Sequence, residues 1–328
     1  MKDNLTIIRV DGGIASQIGF VALGKAFEEK GYQVKYDLSW FETSGKGFYN
    51  TTNGYDRIYD LTFDMPKAFP QLEMKIATED EIKRYNKLYF IDDEKVITHK
   101  PPLYVGGYLG RHYDIYFARR FATYFNPKEI EQKDTPFYIL LQEILNTQSC
   151  GIHIRRGDLS QNHIVYGEPT SLTYFERVIQ LVAQVNSKSV FYLFSDDVAW
   201  VKEHIAPLLK DKQFKICDIN TPEQGYLDLY LLSRCKVIVA SHGSLGAYAK
   251  ILAPHNPLLI APRVRNVFFE MENVMLVNWG AKPKITQPCN NLKTPPPPHC
   301  QNLTLRYRLF LYLYNRLRSK LLRKGVIQ

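Results

Sequence analysis

The chain has 328 residues, 45% of them hydrophobic and 23% charged, which is enough for two ordinary globular domains. Its net charge of +9 is uneven: from residue 301 onward there are seven Arg and Lys and no Asp or Glu, leaving +2 for everything before. No run of 18 apolar residues occurs, five widely spaced cysteines (150, 217, 235, 289, 300) form no CxxC pair, and the apolar run behind Met1 is too short for a signal peptide. A spanning helix, a disulfide scaffold and a metal-binding Cys cluster are therefore not expected, and the expected location is cytoplasmic.

In chain order, Leu5–Val10 reads as a buried strand and Asp11-Gly12-Gly13 as a turn. Gln17–Lys30 has helical spacing and stops at Gly31, and Gln33–Tyr36 is a second strand ending at Asp37. Strand, helix and strand in succession imply a parallel sheet. Residues 39–102 read as loop-rich, with a weak helix near Thr78–Tyr85. A strand over Leu103–Val105 and a helix around Phe117–Tyr124 follow. From residue 149 the alternation is clear: strands over Cys150–Ile154, Val190–Phe194, Phe214–Cys217, Lys236–Ala240 and Pro257–Ile260, helices over Thr173–Gln184, Val198–Leu208, Pro222–Ser233 and Leu245–Leu252. The run Pro295–Pro298 is a stiff linker before a segment, 303–324, that mixes Leu, Tyr and Phe with cations. Such a segment suits an anionic membrane surface better than nucleic acid, and a plain terminal helix is the alternative.

The stretch with most chemistry is Gly151-Ile-His153-Ile-Arg155-Arg156-Gly-Asp158, directly behind an apolar run. Unpaired charges are costly in a core, so this cluster belongs at the end of a buried strand facing a cleft, where guanidinium forks grip an anion such as a diphosphate. In open α/β sheets, ligands lie beyond the carboxyl ends of the strands. Four other candidates fall there. Gly12 and Gly13 with Gln17 and the later Asp37 form a glycine turn that either binds an anion or reverses the chain; a nicotinamide reading suffers from the missing GxGxxG. Asp196 and Asp197 read as a helix cap and support, with a metal pair the lesser alternative. Gly243 and Ser244 open a helix whose N–H groups would meet phosphate, unless Ser244 is an ordinary cap. Asp228 sits on the apolar stretch 225–233 and needs a partner; a guanine base offers two N–H donors.

Together these residues resemble the α-1,2-fucosyltransferase family, in its bacterial branch acting on surface polysaccharides. The resemblance spans about residues 7 to 260. It rests on His153-Ile-Arg-Arg-Gly-Asp158, the HxRRGD signature, with support from Phe191–Lys202, Asp228–Lys236, Gly12–Gln17, Tyr36–Phe41 and Gly107-Tyr108. Three stretches depart from the family pattern: Gly12-Gly-Ile-Ala-Ser-Gln17, His242-Gly-Ser-Leu-Gly-Ala-Tyr248 and Leu109-Gly110.

The resemblance implies an α/β GT-B-like fold: two Rossmann-like domains facing a cleft, here followed by a basic amphipathic C-terminal helix. The expected boundaries are 1–148 for the acceptor side, 149–288 for GDP-sugar binding and 289–328 for the linker and tail. It implies GDP-fucose as donor, no metal or other cofactor, His153 and Arg155 on the nucleotide, Asp228 on guanine and Ser244 on phosphate. Arg155, with Arg156 beside it, would stabilise the leaving GDP. Asp158, His163 and Glu168 are candidates for the base on the acceptor hydroxyl, and Asp158 reads equally as a salt-bridged anchor. The implied acceptor is a terminal galactose of a lipid-linked O-antigen or capsule repeat unit at the inner membrane face. The competing readings are another GDP-sugar transferase, another fucose linkage, and a non-catalytic nucleotide-binding regulator.

Overall fold

The computed structural model describes residues 3–46, 48–52, 55–91, 96–106, 120–157, 159, 169–263 and 271–277. The first half contains β1 (Leu5–Arg9), α1 (Ile14–Glu29), β2 (Gln33–Asp37), α2 (Ser39–Glu42), β3 (Phe48–Thr52), β4 (Tyr55–Tyr59), α3 (Met65–Ala68), α4 (Glu79–Leu88), β5 (Phe90–Ile91) and β6 (Leu103–Val105). The second half contains α5 (Pro136–Asn146), β7 (Gln148–Ile154), α6 (Leu172–Val185), β8 (Ser189–Ser195), α7 (Val198–Trp200), β9 (Phe214–Ile216), α8 (Gly225–Ser233), β10 (Val237–Val239), α9 (Leu245–Leu252), β11 (Leu258–Pro262) and β12 (Val274–Val277).

Two parallel sheets result, ordered β2-β1-β6-β5 and β12-β11-β10-β7-β8-β9; β3 and β4 form a separate antiparallel hairpin. Each of the two parallel sheets is built from strand–helix–strand units, so the chain is α/β in both halves. The central strand β7 is buried along all but its first residue, as expected of a parallel strand covered on both faces. One face of the second sheet packs under α6, whose Phe175, Val178, Ile179 and Val182 are buried as the helical spacing predicts. The other face joins a core continuous with the first half. At the seam, Phe69 and Phe125 lie with ring centroids 5.0 Å apart and Phe125 meets Tyr230 edge-on at 5.2 Å. Tyr226 adds a hydrogen bond from its hydroxyl to Glu129 Oε1 at 2.8 Å.

Several elements differ from the expectation. The stretch 39–102 holds a hairpin and a well-formed helix: Thr78 caps α4 in a capping box with Glu81. The predicted helix Val198–Leu208 is α7 followed by a π turn over Val201–Ile205 and a 3₁₀ turn over Ala206–Leu209. Two elements were not anticipated. One is α5, capped by Thr135 and packed through Phe137, Leu140, Leu141 and Ile144; it precedes residue 149 yet pairs with the second sheet through Glu143 and Lys215. The other is the edge strand β12, parallel to β11. The linker, the basic tail and residues 117–119 of the segment expected as helix Phe117–Tyr124 lie outside the described residues; the rest of that segment shows a 3₁₀ turn over Phe121–Thr123.

Candidate active site

In the second sheet the chain runs outward from β7 through β8 to β9, then returns to the other side of β7 for β10, β11 and β12. The order reverses between β7 and β10, the switch point beyond whose carboxyl ends sheets of this kind hold their binding crevice. Arg155 follows β7 directly; Ser241, Gly243 and Ser244 follow β10 and lead into α9. Each helix that follows a strand in such a sheet also starts on this edge, which brings the first turn of α8, with Asp228, to the same side.

Ser241 is the hub. It is buried; its Oγ accepts from the Arg155 backbone N–H at 3.0 Å and lies 3.3 Å from His153 Nδ1. The imidazole is buried as well. Loss of water, and next the nearby Arg155 charge, push its pKa down to about 3, so at neutral pH it is uncharged and serves as a hydrogen-bonding wall. Gly243 adopts φ +117°, in the left-handed region open to glycine. A methyl group there would stand 3.3 Å from Arg155 Cδ and Nη1, so the guanidinium lies along the bare backbone at the start of α9. Gly246 lets α9 approach β10 closely: an added Cβ would sit 2.6 Å from the Ala240 Cβ. Ser244 is the N-cap residue of α9 and makes no side-chain capping hydrogen bond, unlike Thr78, Thr135 and Ser171 at their helices. A guanidinium, a helix N-terminus and a hydroxyl thus converge on one crevice, the set of groups that suits a diphosphate.

Arg156 is arranged differently from Arg155. Its backbone N–H donates to Asp196 Oδ1 at 2.8 Å and its Nε to Asp197 Oδ2 at 3.3 Å, while the guanidinium stacks on Trp200 at 4.0 Å. Asp197 also caps α7 through Trp200 N–H. Asp196 and Asp197 thus bind the protein's own backbone and Arg156, whose Nε bond and stacking brace the loop. Asp158, His163 and Glu168 lie outside the described residues.

Asp228 is half-buried, and its Oδ1 accepts from Asn220 Nδ2 at 2.6 Å. Burial pushes its carboxyl up to about 7, against the opposing pull of that hydrogen bond.

The corresponding edge of the first sheet is closed. Gln17 is fully buried; its Nε2 donates to Gly12 O and Thr62 O, and its Oε1 accepts from Asp64 N–H at 2.7 Å. Asp37, also fully buried, accepts from Ser39 N–H at 2.8 Å and from the Tyr104 hydroxyl at 2.5 Å. Both side chains are frame, not ligand contacts. Any contact from this turn falls to the backbone of Gly12, whose φ is +75°, and of Gly13, the N-cap of α1.

The second half matches a known family model, Glycosyl transferase family 11, over residues 136–282. The match contains every residue of the crevice and begins at α5. An α-1,2-colitosyltransferase of Escherichia coli is 24% identical over 266 residues, covering 75% of this chain and 88% of the relative. An E. coli O-antigen biosynthesis glycosyltransferase, WbnK, is 24% identical over 121 residues, 36% of this chain and 39% of its own. Among solved structures, a NodZ α-1,6-fucosyltransferase soaked with GDP-fucose superposes with a TM-score of 0.46 at 15% identity, covering 77% of this chain and 94% of that one.

Reading the residues singly placed Ser241 at a strand end without its role as hub, and left out two others: Trp200 as the face beneath Arg156, and Asn220 beside Asp228. Ser241 and Asn220 each sit within five residues of a strand's carboxyl end, which is the signal that would have marked them.

Proposed function

We propose that the protein transfers L-fucose from GDP-fucose to the 2-hydroxyl of a terminal galactose in a bacterial O-antigen or capsule repeat unit, with inversion at the anomeric carbon and without a divalent ion. The observation that carries this reading is Arg155 laid along Gly243 at the N-terminus of α9, within the region that matches the family 11 model. The acceptor oxygen attacks the anomeric carbon, the bond to the β-phosphate breaks, and GDP leaves with the electron pair. Arg155 and the α9 N–H groups face the charge that develops, in place of a metal, where such fixed donors are worth several kcal/mol. His153, neutral and buried, holds Ser241 and through it the Arg155 backbone. The acceptor proton goes to a base, for which Asp158, His163 and Glu168 remain the candidates.

A second donor is favoured by one observation, the likeness to a colitosyltransferase over most of that relative's length. Colitose is fucose without its 3-hydroxyl, and a pocket that hydrogen-bonds that hydroxyl would reject it strongly. The first half is proposed as the acceptor side, and residues 303–324 as a contact to anionic lipid at the inner membrane face.

The deciding experiment incubates the protein with GDP-fucose, GDP-colitose or GDP-mannose and a panel of galactosides, with and without EDTA, and determines product linkage. An α-1,2-fucosylated galactoside formed equally with EDTA supports the proposal. Preference for GDP-colitose moves the donor, another linkage moves the acceptor hydroxyl, loss with EDTA overturns the metal-free step, and GDP binding without release from any donor makes it a nucleotide-binding regulator.

A further inference from the structure

We propose that Asn220 is a positioning residue: its side-chain amide fixes the Asp228 carboxylate so that the carboxylate reads the base of the donor nucleotide. This rests on the GDP-sugar reading above and names the residue that makes the base contact selective.

Asn220 lies four residues beyond the end of β9, and Asp228 lies in the first turn of α8, so both stand on the carboxyl edge of the sheet. The 2.6 Å bond runs from Asn220 Nδ2 to Asp228 Oδ1. Among the described residues no Lys, Arg or His forms an ion pair with Asp228. The choice of an amide matters. An arginine would occupy both carboxylate oxygens and neutralise the charge. One amide N–H orients the group on a single oxygen and keeps its charge. The carboxylate can then meet a ligand edge with two parallel N–H donors. Guanine has such an edge; hypoxanthine lacks the exocyclic amine, and adenine sets a ring acceptor, N1, beside its amine donor.

The same bond opposes the effect of burial on Asp228, whose carboxyl is pushed up to about 7. A protonated carboxyl cannot accept both donors, so base binding by this pair strengthens as pH rises through that value. The charged and titratable groups on the neighbouring elements are Glu223 before α8, Lys250 on α9, Lys67 on α3, His153 on β7, and Cys217 and Asp218 after β9. The Cys217 thiol is itself pushed up, by burial first and by Asp228 among its neighbours, and stays protonated throughout this range.

The test is calorimetry on the full chain with GDP and IDP between pH 6 and 9, for wild type, Asn220→Ala and Asp228→Asn. The expected result is a wild-type GDP affinity that rises with pH and then levels, and a clear preference over IDP. Asn220→Ala should weaken GDP about 10-fold at pH 7, recover part of that loss at pH 9, and narrow the GDP-to-IDP preference. Asp228→Asn should weaken GDP further and flatten the pH profile. Should Asn220→Ala not fold, Asn220→Gln, which keeps the amide but displaces it, gives the same readout. An Asn220 variant with wild-type pH midpoint and base preference overturns the inference, while a GDP loss in Asp228→Asn alone leaves the donor reading standing. If Asp228→Asn also binds GDP as wild type does, the base-reading role of Asp228 falls with it.

Discussion

The carboxyl edges of the two sheets are built from the same strand–turn–helix unit and are used in opposite ways. At the first sheet, Gln17 and Asp37 turn inward and satisfy backbone groups, binding the Gly12 turn to residues 62–64 and β2 to Tyr104. At the second sheet, Ser241 and Asp197 carry internal bonds, and Arg155 lies along Gly243 at the start of α9, where Ser244 makes no capping bond. A polar residue at a strand end is therefore not enough to mark a ligand contact; what matters is whether the backbone around it is already satisfied by something else.

Replacing Arg155 with Lys is the hardest blow to this contrast. A point charge cannot reproduce a forked contact, so kcat/KM should fall by about 10²–10³-fold, measured by GDP release, with the thermal midpoint unchanged. Retained turnover would erase the distinction between the two edges. Gln17→Ala should do the reverse. It strands buried backbone partners and should cost about 2–3 kcal/mol in urea unfolding while leaving GDP affinity intact. The third effect is pH dependence of stability through His153. Its folded pKa of about 3 lies below the unfolded value near 6.5, so the contribution is whole above 6.5 and is lost as pH falls toward 3. The loss by pH 5 should be about 2 kcal/mol, and His153→Gln should flatten the slope in denaturation at pH 5 and 7. The smallest effect separates two kinds of helix start. Ser244→Ala should raise the donor KM about 5-fold without destabilising the fold, whereas Thr78→Ala should cost about 1 kcal/mol of stability and nothing in turnover.

The second half was legible because its strands are short apolar runs ending in charged or small residues, with helices of clear period between them; Leu245–Leu252 emerged with its predicted limits. The strongest mark of the family resemblance, residues 153–158, lies in the same region, where the family model also matches. The first half was read less well, although signals were present. Asn53-Gly54 stands between the strands β3 and β4, a strong hairpin sign, and Thr135-Pro136 followed by apolar residues at 137, 140, 141 and 144 is a plain helix start. For the site, sequence could place Arg155, Ser244 and Asp228 on one edge. It could not divide the labour between Arg155 and Arg156, because that depends on Asp197 and Trp200, more than 40 residues further along the chain. Nor could it show that Gln17 and Asp37 face inward, since their partners at Thr62, Asp64 and Tyr104 come from other elements.

The chain of rings from Phe69 through Phe125 to Tyr230 has a consequence for exchanging the earlier portion of the protein. Tyr230 lies on α8, the helix that also carries Asp228, so Phe125, with Phe69 behind it, helps hold the helix on which the proposed base contact depends. Exchanging that portion is thereby constrained: a graft lacking a ring in place of Phe125 would uncover one side of Tyr230, which keeps Phe137 on another, and would slacken α8. If the first half is the acceptor side, as proposed, changes in its surface loops disturb α8 less than a wholesale module swap.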